Sequence, residues 1–201
     1  SAAALQLLSS AQPLYPAVMR GQQVETHASV KAGTTIIRNL ADSLLSHSPF
    51  WASIRLRMKL TTWNVNGIRA VSKKDAFRPF IRKTKPDIIC LQETKAEQGQ
   101  AEIDLPKFEE YWNSAEKKGY SGTAIFTKPK PLAVLNDFAD HIRDTHGLAD
   151  DGYGDPLKEG RVISAEYEKF HVVTSYIPNA KRDLSRLGLR EKNWDPALLA
   201  H

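Results

Sequence analysis

The chain lacks several features that would have pointed to particular protein classes. Its 201 residues include one cysteine, Cys90, which excludes a disulfide framework and a cysteine-rich zinc site. No run of about 18 apolar residues occurs, so the sequence predicts no transmembrane helix and no membrane partner. Internal repeats and low-complexity segments are also missing.

The composition that remains is that of an ordinary globular protein with a small basic excess. Hydrophobic residues make up 41% of the chain and charged residues 25%, so collagen-like and wholly disordered chains are excluded. The formal net charge is +5, which permits a polyanionic partner without requiring one.

The charge and composition change near residue 57. Residues 1–57 are rich in serine and alanine, and they contain five basic residues against two acidic ones, Glu25 and Asp42. This composition is typical of an organelle transit peptide, but it also fits a disordered extension that precedes Met58. We therefore predict a disordered or transit-like N-terminal extension over residues 1–57 and a folded unit over residues 58–201.

The folded unit has the order of strands, helices and turn residues that is typical of an α/β protein. Residues 59–64 and 87–92 predict two strands, residues 72–84 predict a helix between them, and the Asn66-Gly67 pair marks a turn. Further strands are predicted over 109–114, 122–127, 161–167 and 171–177, and a final helix is predicted from Asp183 toward Leu199. The polar stretch 128–158 is interpreted as a surface loop with a short helix near Leu135–Ile142. This order indicates a mixed, layered α/β fold.

Oxygen-bearing side chains follow the first two predicted strands. Asn64 and Asn66 close the first, and Glu93 closes the second. Ligands gather at the carboxyl ends of strands in α/β sheets, and carboxylate and amide oxygens suit Mg²⁺ or Mn²⁺ better than zinc. The alternative is that Glu93 is an exposed strand terminus or a helix cap.

The sequence around these residues resembles that of the exonuclease III family of apurinic/apyrimidinic endonucleases, within the endonuclease/exonuclease/phosphatase superfamily. Five blocks match in the family's order: TWNVNGIRA (62–70), PDIICLQETK (86–95), GYSGTA (119–124), EGRVI (159–163) and SYIPNA (175–180). The resemblance covers Met58 to the end of the chain. It implies a four-layer α/β sandwich of the endonuclease/exonuclease/phosphatase type.

The resemblance also implies a function. It suggests a phosphodiesterase dependent on Mg²⁺ or Mn²⁺ that cleaves DNA at abasic sites, with possible 3′→5′ exonuclease activity. Duplex DNA would be its partner, and the full-length form would be a monomer. An intracellular location in the nucleus, nucleoid or cytoplasm would follow, or in the mitochondrion if residues 1–57 are a transit peptide.

Individual roles are implied by matching positions. Glu93 matches the family's principal metal-binding carboxylate, Asn64 lies beside it in the motif, and Asn66 stands where relatives have Asp or Asn. Tyr176 matches the tyrosine placed against the scissile phosphate. Positions that contact the DNA backbone or the lesion in the family correspond here to Tyr120, Arg161, Asn179 and Arg182.

The sequence also departs from the family pattern. The Gly-Asp-Phe/Leu-Asn-Val block and the Ser-Asp-His block of the family do not occur in the 201 residues. We therefore expect about the first half of the catalytic domain, inactive alone, with the inner face of its sheet uncovered. Two alternatives remain open: a non-catalytic DNA-binding remnant, or a lipid or inositol phosphoesterase of the same superfamily.

Overall fold

The computed structural model describes residues 58–201 in full and the backbone of four strands before them. These four strands are β1 (Val18–Met19), β2 (Gln22–Gln23), β3 (Glu25–Ser29) and β4 (Thr34–Asn39). The strands that follow are β5 (Lys59–Asn64), β6 (Ile88–Gln92), β7 (Glu109–Asn113), β8 (Thr123–Thr127), β9 (Ala133–Asn136), β10 (Val162–Tyr167) and β11 (Phe170–Ser175). The helices are α1 (Ile68–Lys73), α2 (Phe77–Thr84), α3 (Asp140–Thr145), α4 (Leu187–Leu189) and α5 (Asp195–Ala200).

Two sheets organise the described part of the chain. The larger has the order β3-β5-β6-β8-β7, in which β3, β5 and β6 are parallel and β7 and β8 are antiparallel to their neighbours. The smaller has the order β4-β11-β10-β9 and is antiparallel throughout. The central strands β6 and β8 are buried at every position, which explains their short continuous apolar runs.

The two sheets pack face to face. Their shared core joins side chains of β5, β6 and β8 to side chains of β10 and β11: Leu60, Ile88, Cys90, Ile125, Ile163, Ala165 and Val172. A second apolar cluster lies under α1 and α2, and a third joins β10 and β11 to α3 and α5. The arrangement is helix, sheet, sheet and helix, so the predicted four-layer architecture is confirmed.

The expectation of an uncovered inner sheet face is wrong. Residues 58–201 supply strands to both sheets, and each sheet covers the inner face of the other. A polar contact also crosses the interface, since the buried Gln92 Nε2 donates to Thr62 Oγ1 at 3.0 Å and to Thr174 Oγ1 at 2.8 Å. Because Gln92 lies at the end of β6, this contact fixes how the two sheets meet beside the strand ends.

Several helix boundaries differ from the prediction. The helix predicted over 72–84 is two helices, because Asp75 adopts a left-handed conformation that ends α1. Pro79 lies in the first turn of α2, where its missing N–H has no intrahelical partner to lose. The last helix begins at Leu187 rather than Asp183, and it widens into a π-turn over Arg190–Trp194 ahead of Pro196.

The stretch 128–158 contains more regular structure than predicted. Instead of a short helix near Leu135–Ile142, it forms the edge strand β9 followed by α3 and a 3₁₀ turn at Pro156–Lys158. Strand β9 forms because β10 offers a free ladder edge, and it ends where Asp137 takes a positive φ of 60°. None of the described helices combines the length and the hydropathy needed to cross a membrane.

The predicted extension over residues 1–57 falls largely outside the described residues. Within it, β3 pairs in parallel with β5, and β4 pairs antiparallel with β11. At these strands the structure differs from a disordered extension, because the outer edges of β5 and β11 offer backbone groups that need partners. For the other residues of 1–57 the assignment stays a prediction.

Candidate active site at the strand ends

Two neighbouring strand ends bring the first predicted site residues together. Strands β5 and β6 run in parallel with Asn64 opposite Gln92, so the residues that follow both strands leave the sheet side by side. The two exits are held by backbone hydrogen bonds, from the Val65 N–H to the Gln92 carbonyl at 3.0 Å and from the Gly67 N–H to the Glu93 carbonyl at 2.7 Å. The side chains that the sequence places at the ends of these two strands are therefore neighbours in the structure.

The Glu93 carboxylate is the centre of this group. Asn64 Nδ2 donates to Glu93 Oε1 at 2.8 Å, and Lys95 Nζ lies 3.0 Å from Glu93 Oε2. The Tyr176 hydroxyl lies near the same carboxylate, and the two groups influence each other's pKa. Burial by itself would raise the pKa of Glu93, but its contacts with these three residues and the charge of Lys95 hold it below its ordinary value. The carboxylate is thus negatively charged near neutral pH.

Asn66 lies at the exposed rim of the group. Its backbone N–H donates to Asn64 Oδ1 at 3.1 Å, and its own Oδ1 accepts from Lys95 Nζ at 2.6 Å. Asn66, Glu93 and Lys95 all have a positive φ, of 47°, 52° and 51°. Such conformations are uncommon outside glycine, and they concentrate where surrounding structure holds a functional geometry.

Tyr176 reaches the group from the second sheet. It follows β11, and its backbone N–H donates to the Arg161 carbonyl at 2.8 Å. Burial, assisted by the nearby charge of Glu93, raises the pKa of the Tyr176 hydroxyl to about 12. The hydroxyl therefore keeps its proton near neutral pH and acts as a hydrogen-bond donor.

Arg161 is a buried support for Tyr176. Its side chain is 2% exposed, its NH1 donates to the Tyr176 carbonyl at 2.8 Å, and its guanidinium lies 4.8 Å from the centre of the Tyr176 ring. Its NH2 donates to the Tyr120 hydroxyl at 3.2 Å, and its Nε donates to the Glu159 carboxylate. In this arrangement the guanidinium faces protein groups, and direct contact with DNA stays a prediction.

The charge network continues beyond Arg161. Arg186 NH2 lies 3.6 Å from Glu159 Oε1, and Arg186 Nε donates to Asp151 Oδ2 at 2.7 Å. Burial by itself would lower the pKa of Arg186, but the contacts with Asp151 and Glu159 raise it above its ordinary value. The network therefore ties the loop before β10 to the segment before α4.

In the described part of the chain, Asn179 and Arg182 are not hydrogen-bonded to the Glu93 group. Both are exposed on the segment that follows β11, where Asn179 Oδ1 accepts from the Lys181 N–H at 2.8 Å. Among the described residues, no hydrogen bond joins either side chain to Glu93, Asn64 or Tyr176. Their predicted contact with DNA stays a prediction.

The donor set fits a hard divalent cation. It offers the Glu93 carboxylate and the Asn66 amide oxygen, while Asn64, also predicted as a ligand, turns its Nδ2 to Glu93 and its Oδ1 to the Asn66 N–H. Mg²⁺ is commonly held by one or two carboxylates while waters and substrate phosphates fill its other positions. Glu93 Oε2 and Asn66 Oδ1 already converge on a positive charge, the ammonium of Lys95. Within the described residues no cluster of three or more His, Cys, Asp or Glu side chains suits a metal, so these oxygens would hold the ion largely with its own waters.

Comparison with known proteins identifies the family of the chain. The endonuclease/exonuclease/phosphatase family profile matches residues 61–196, which is more than half of the chain. The chain belongs to this family. An exodeoxyribonuclease of Bacillus subtilis (strain 168) is 44% identical over 144 residues, which are 72% of this chain and 52% of that protein. The DNA repair nuclease APEX1 of Danio rerio is 43% identical over 143 residues, which are 69% of this chain and 41% of that protein.

A solved structure of the same kind shows the same fold. The AP endonuclease LMAP from Leishmania major is 28% identical, with a TM-score of 0.51, and the match covers 68% of this chain and 45% of that one. The resemblance to the exonuclease III branch is therefore confirmed. The chain spans about half, or less, of the length of these relatives.

Two features of the site are missing from the sequence-based prediction. Lys95 is part of the second matching block, two residues after Glu93, but its contacts depend on the left-handed backbone at both positions. The pairing of Arg186 with Glu159 and Asp151 is also missing from it, because basic residues near a helix are interpreted by default as a solvated face. The one signal for this network in the sequence is the pair of opposite charges at Glu159 and Arg161, two positions apart in the EGR block.

Proposed function

We propose that this chain supplies the metal-binding side of a DNA phosphodiesterase that depends on Mg²⁺ or Mn²⁺ and cleaves the backbone at abasic sites. A 3′→5′ exonuclease activity at the same site is part of the proposal. The observation that supports it most is the convergence of Glu93, Asn64, Asn66 and Tyr176 from two sheets on one edge of the fold. Similarity to proteins named exodeoxyribonuclease and DNA repair nuclease supports DNA as the substrate class.

The residue types suit this chemistry. Phosphodiester cleavage builds negative charge on the phosphate oxygens and on the leaving oxygen. A divalent cation held by Glu93 and the Asn66 amide oxygen would act as a Lewis acid that offsets this charge. Asn64 orients the carboxylate through its hydrogen bond to Oε1.

Tyr176 would act as a hydrogen-bond donor to a phosphate oxygen. Its hydroxyl keeps its proton near neutral pH. Arg161 holds Tyr176 in place through a hydrogen bond to its carbonyl and a contact of the guanidinium with its ring. A preorganised donor of this kind stabilises developing charge without rearranging during the reaction.

A basic surface beside the site would hold the DNA backbone. A cavity next to the site is lined by Arg69, Lys117, Lys118 and Tyr120 among other residues. Arg69 also donates to the Lys95 carbonyl at 3.2 Å, which connects this cavity to the Glu93 group. Contacts with phosphates position a duplex without reading its sequence, as a lesion-directed nuclease requires.

The test uses an end-labelled duplex that carries one abasic site. The chain is incubated with this duplex in Mg²⁺, in Mn²⁺ or in EDTA, and both retention of the duplex and strand breakage are measured. The absence of the later family blocks predicts an inactive chain, but the described residues bring Glu93, Asn64 and Asn66 together. We therefore propose that the chain has slow, metal-dependent incision activity at the lesion, which Glu93→Gln abolishes. The rate is expected to be low, because the family's Gly-Asp-Phe/Leu-Asn-Val block does not occur in these residues.

A matched variant controls for the loss of charge. Glu168→Gln removes one exposed carboxylate from the turn between β10 and β11, away from the site, and should leave incision unchanged. Incision that survives Glu93→Gln would contradict the site. Cleavage of inositol phosphates or phospholipids but not DNA would contradict the substrate class, and binding without incision in any metal would favour a non-catalytic DNA-binding role.

A further inference from the structure

The ammonium of Lys95 lies between two oxygens of the candidate metal site. Its Nζ is 2.6 Å from Asn66 Oδ1 and 3.0 Å from Glu93 Oε2. Both oxygens belong to the donor set that fits a divalent cation. A positive charge of this chain therefore stands where part of that cation's coordination shell would be.

The backbone of Lys95 is held on both sides, whereas its side chain is partly exposed to solvent. Its N–H donates to the Ser121 carbonyl at 2.9 Å, and its carbonyl accepts from Arg69 NH2 at 3.2 Å. The side chain is 33% exposed, so the ammonium has an open route to solvent. A tethered cation with a fixed base and a solvent route can leave its oxygens and return to them.

We propose that Lys95 is an internal competitor of the divalent cation: its ammonium pairs with Glu93 and Asn66 until the metal displaces it. This inference rests on the metal dependence in the proposed function. The ammonium and a divalent cation repel each other when both are within bonding distance of Glu93 Oε2, because both are positive and only a few ångströms would separate them. Lys95 would thus keep the carboxylate paired in the metal-free protein and lower its apparent affinity for the metal.

The first experiment measures Mn²⁺ binding to the whole chain. Free Mn²⁺ is titrated by electron paramagnetic resonance against the wild type, Lys95→Ala and Lys95→Gln. We expect both variants to bind Mn²⁺ about tenfold more tightly, since a hydrogen-bonded ion pair no longer has to be broken.

Lys128→Ala is the matched control. Lys128 pairs with Asp87 Oδ1 at 3.0 Å and is 37% exposed, so it resembles Lys95 in contact and exposure. Asp87 precedes β6 and Glu93 follows it, which places the two pairs about 20 Å apart along the strand. This exceeds the Debye length of about 8 Å at physiological salt, so Lys128→Ala should leave Mn²⁺ affinity unchanged.

A second readout distinguishes displacement from simple charge repulsion. Brief acetylation followed by mass spectrometry reports how accessible each lysine amine is. Saturating Mn²⁺ should increase acetylation at Lys95 and leave Lys128 unchanged. Tighter binding in the Lys95 variants without this increase would overturn displacement.

The remaining outcomes separate the two proposals. Equal or weaker Mn²⁺ binding in both Lys95 variants would overturn competition while leaving the metal site intact. No Mn²⁺ binding in the wild type or in the variants would overturn the metal dependence itself, and the competition with it. Circular dichroism of each variant checks that its fold is unchanged.

Discussion

Replacing Arg161 with methionine tests the buried charge network most directly. The Arg161 and Glu159 side chains are only 2% and 8% exposed, and the substitution keeps a long apolar chain while removing the charge. Glu159 would then be left with Arg186 NH2, 3.6 Å away. Removing one partner of a buried ion pair costs about 3–5 kcal/mol. Because Arg186 still compensates part of the charge, we expect the lower end, about 3 kcal/mol of unfolding free energy.

Urea unfolding measures this loss. For a domain of this size the dependence on urea is about 2 kcal/mol per molar, so the unfolding midpoint of Arg161→Met should fall by about 1.5 M. Arg190→Met is the matched control, because Arg190 pairs with Asp195 at 3.2 Å but the two side chains are 26% and 29% exposed. Exposed pairs contribute about 0.2–1 kcal/mol, so this midpoint should fall by less than about 0.5 M.

Two results would refute the reasoning. The first is an equal fall in midpoint for Arg161→Met and Arg190→Met, which would mean that burial of the pair does not matter. The second concerns the double variant Arg161→Met with Glu159→Gln. It should recover part of the lost stability, because no uncompensated charge then stays buried. A double variant that is less stable than Arg161→Met would contradict the assignment of the loss to charge.

Three further predictions concern single positions. Gly160→Ala should lower the unfolding free energy measured in urea by more than about 2 kcal/mol. At this position φ is +59°, and an added Cβ would lie 2.3 Å from a backbone oxygen of β7. Gly188→Ala is the control, and because open space surrounds Gly188 this change should be neutral or stabilising. Burial raises the pKa of Asp137 to about 6 from its ordinary 3.8, so the folded state binds this proton more tightly than the unfolded state. The stability gained from this proton is complete below about pH 4 and is lost as the pH rises through 6. Asp137→Asn should therefore flatten the thermal stability profile between these values, and an unchanged profile would count against the assignment. Tyr176→Phe should slow incision about 100-fold while leaving Mn²⁺ affinity close to the wild type, and equal incision rates would remove Tyr176 from the mechanism.

The sheet and part of the site follow from local sequence patterns. The apolar run over 88–91 has few alternatives to a buried strand, and the end of such a strand fixes where Glu93 emerges. Asn64 and Glu93 could be placed together because adjacent parallel strands end at the same sheet edge. These inferences depend on residues within a few positions of each other, where periodicity is informative.

The missed features depend on distant partners. Strand β9 has mostly exposed side chains and exists because β10 offers hydrogen bonds to it. The burial of Arg161 depends on Tyr120 and Tyr176, which lie 41 and 15 positions away. The direction of the Lys95 side chain depends on the left-handed backbone at Glu93 and Lys95. This conformation could not be predicted from the sequence, because neither residue is a glycine.

The left-handed backbone around the carboxylate lowers the thermal stability of the fold while it positions the residues of the candidate metal site. Asn66, Glu93 and Lys95 hold conformations that cost of order 1 kcal/mol each and that glycine adopts freely. A library of variants selected only for survival after heating should therefore enrich glycine at position 93. Such variants would lose the carboxylate on which the proposed metal site depends. Laboratory evolution for thermal stability alone would therefore select against this site, so a screen that also requires Mn²⁺ binding is needed to retain it.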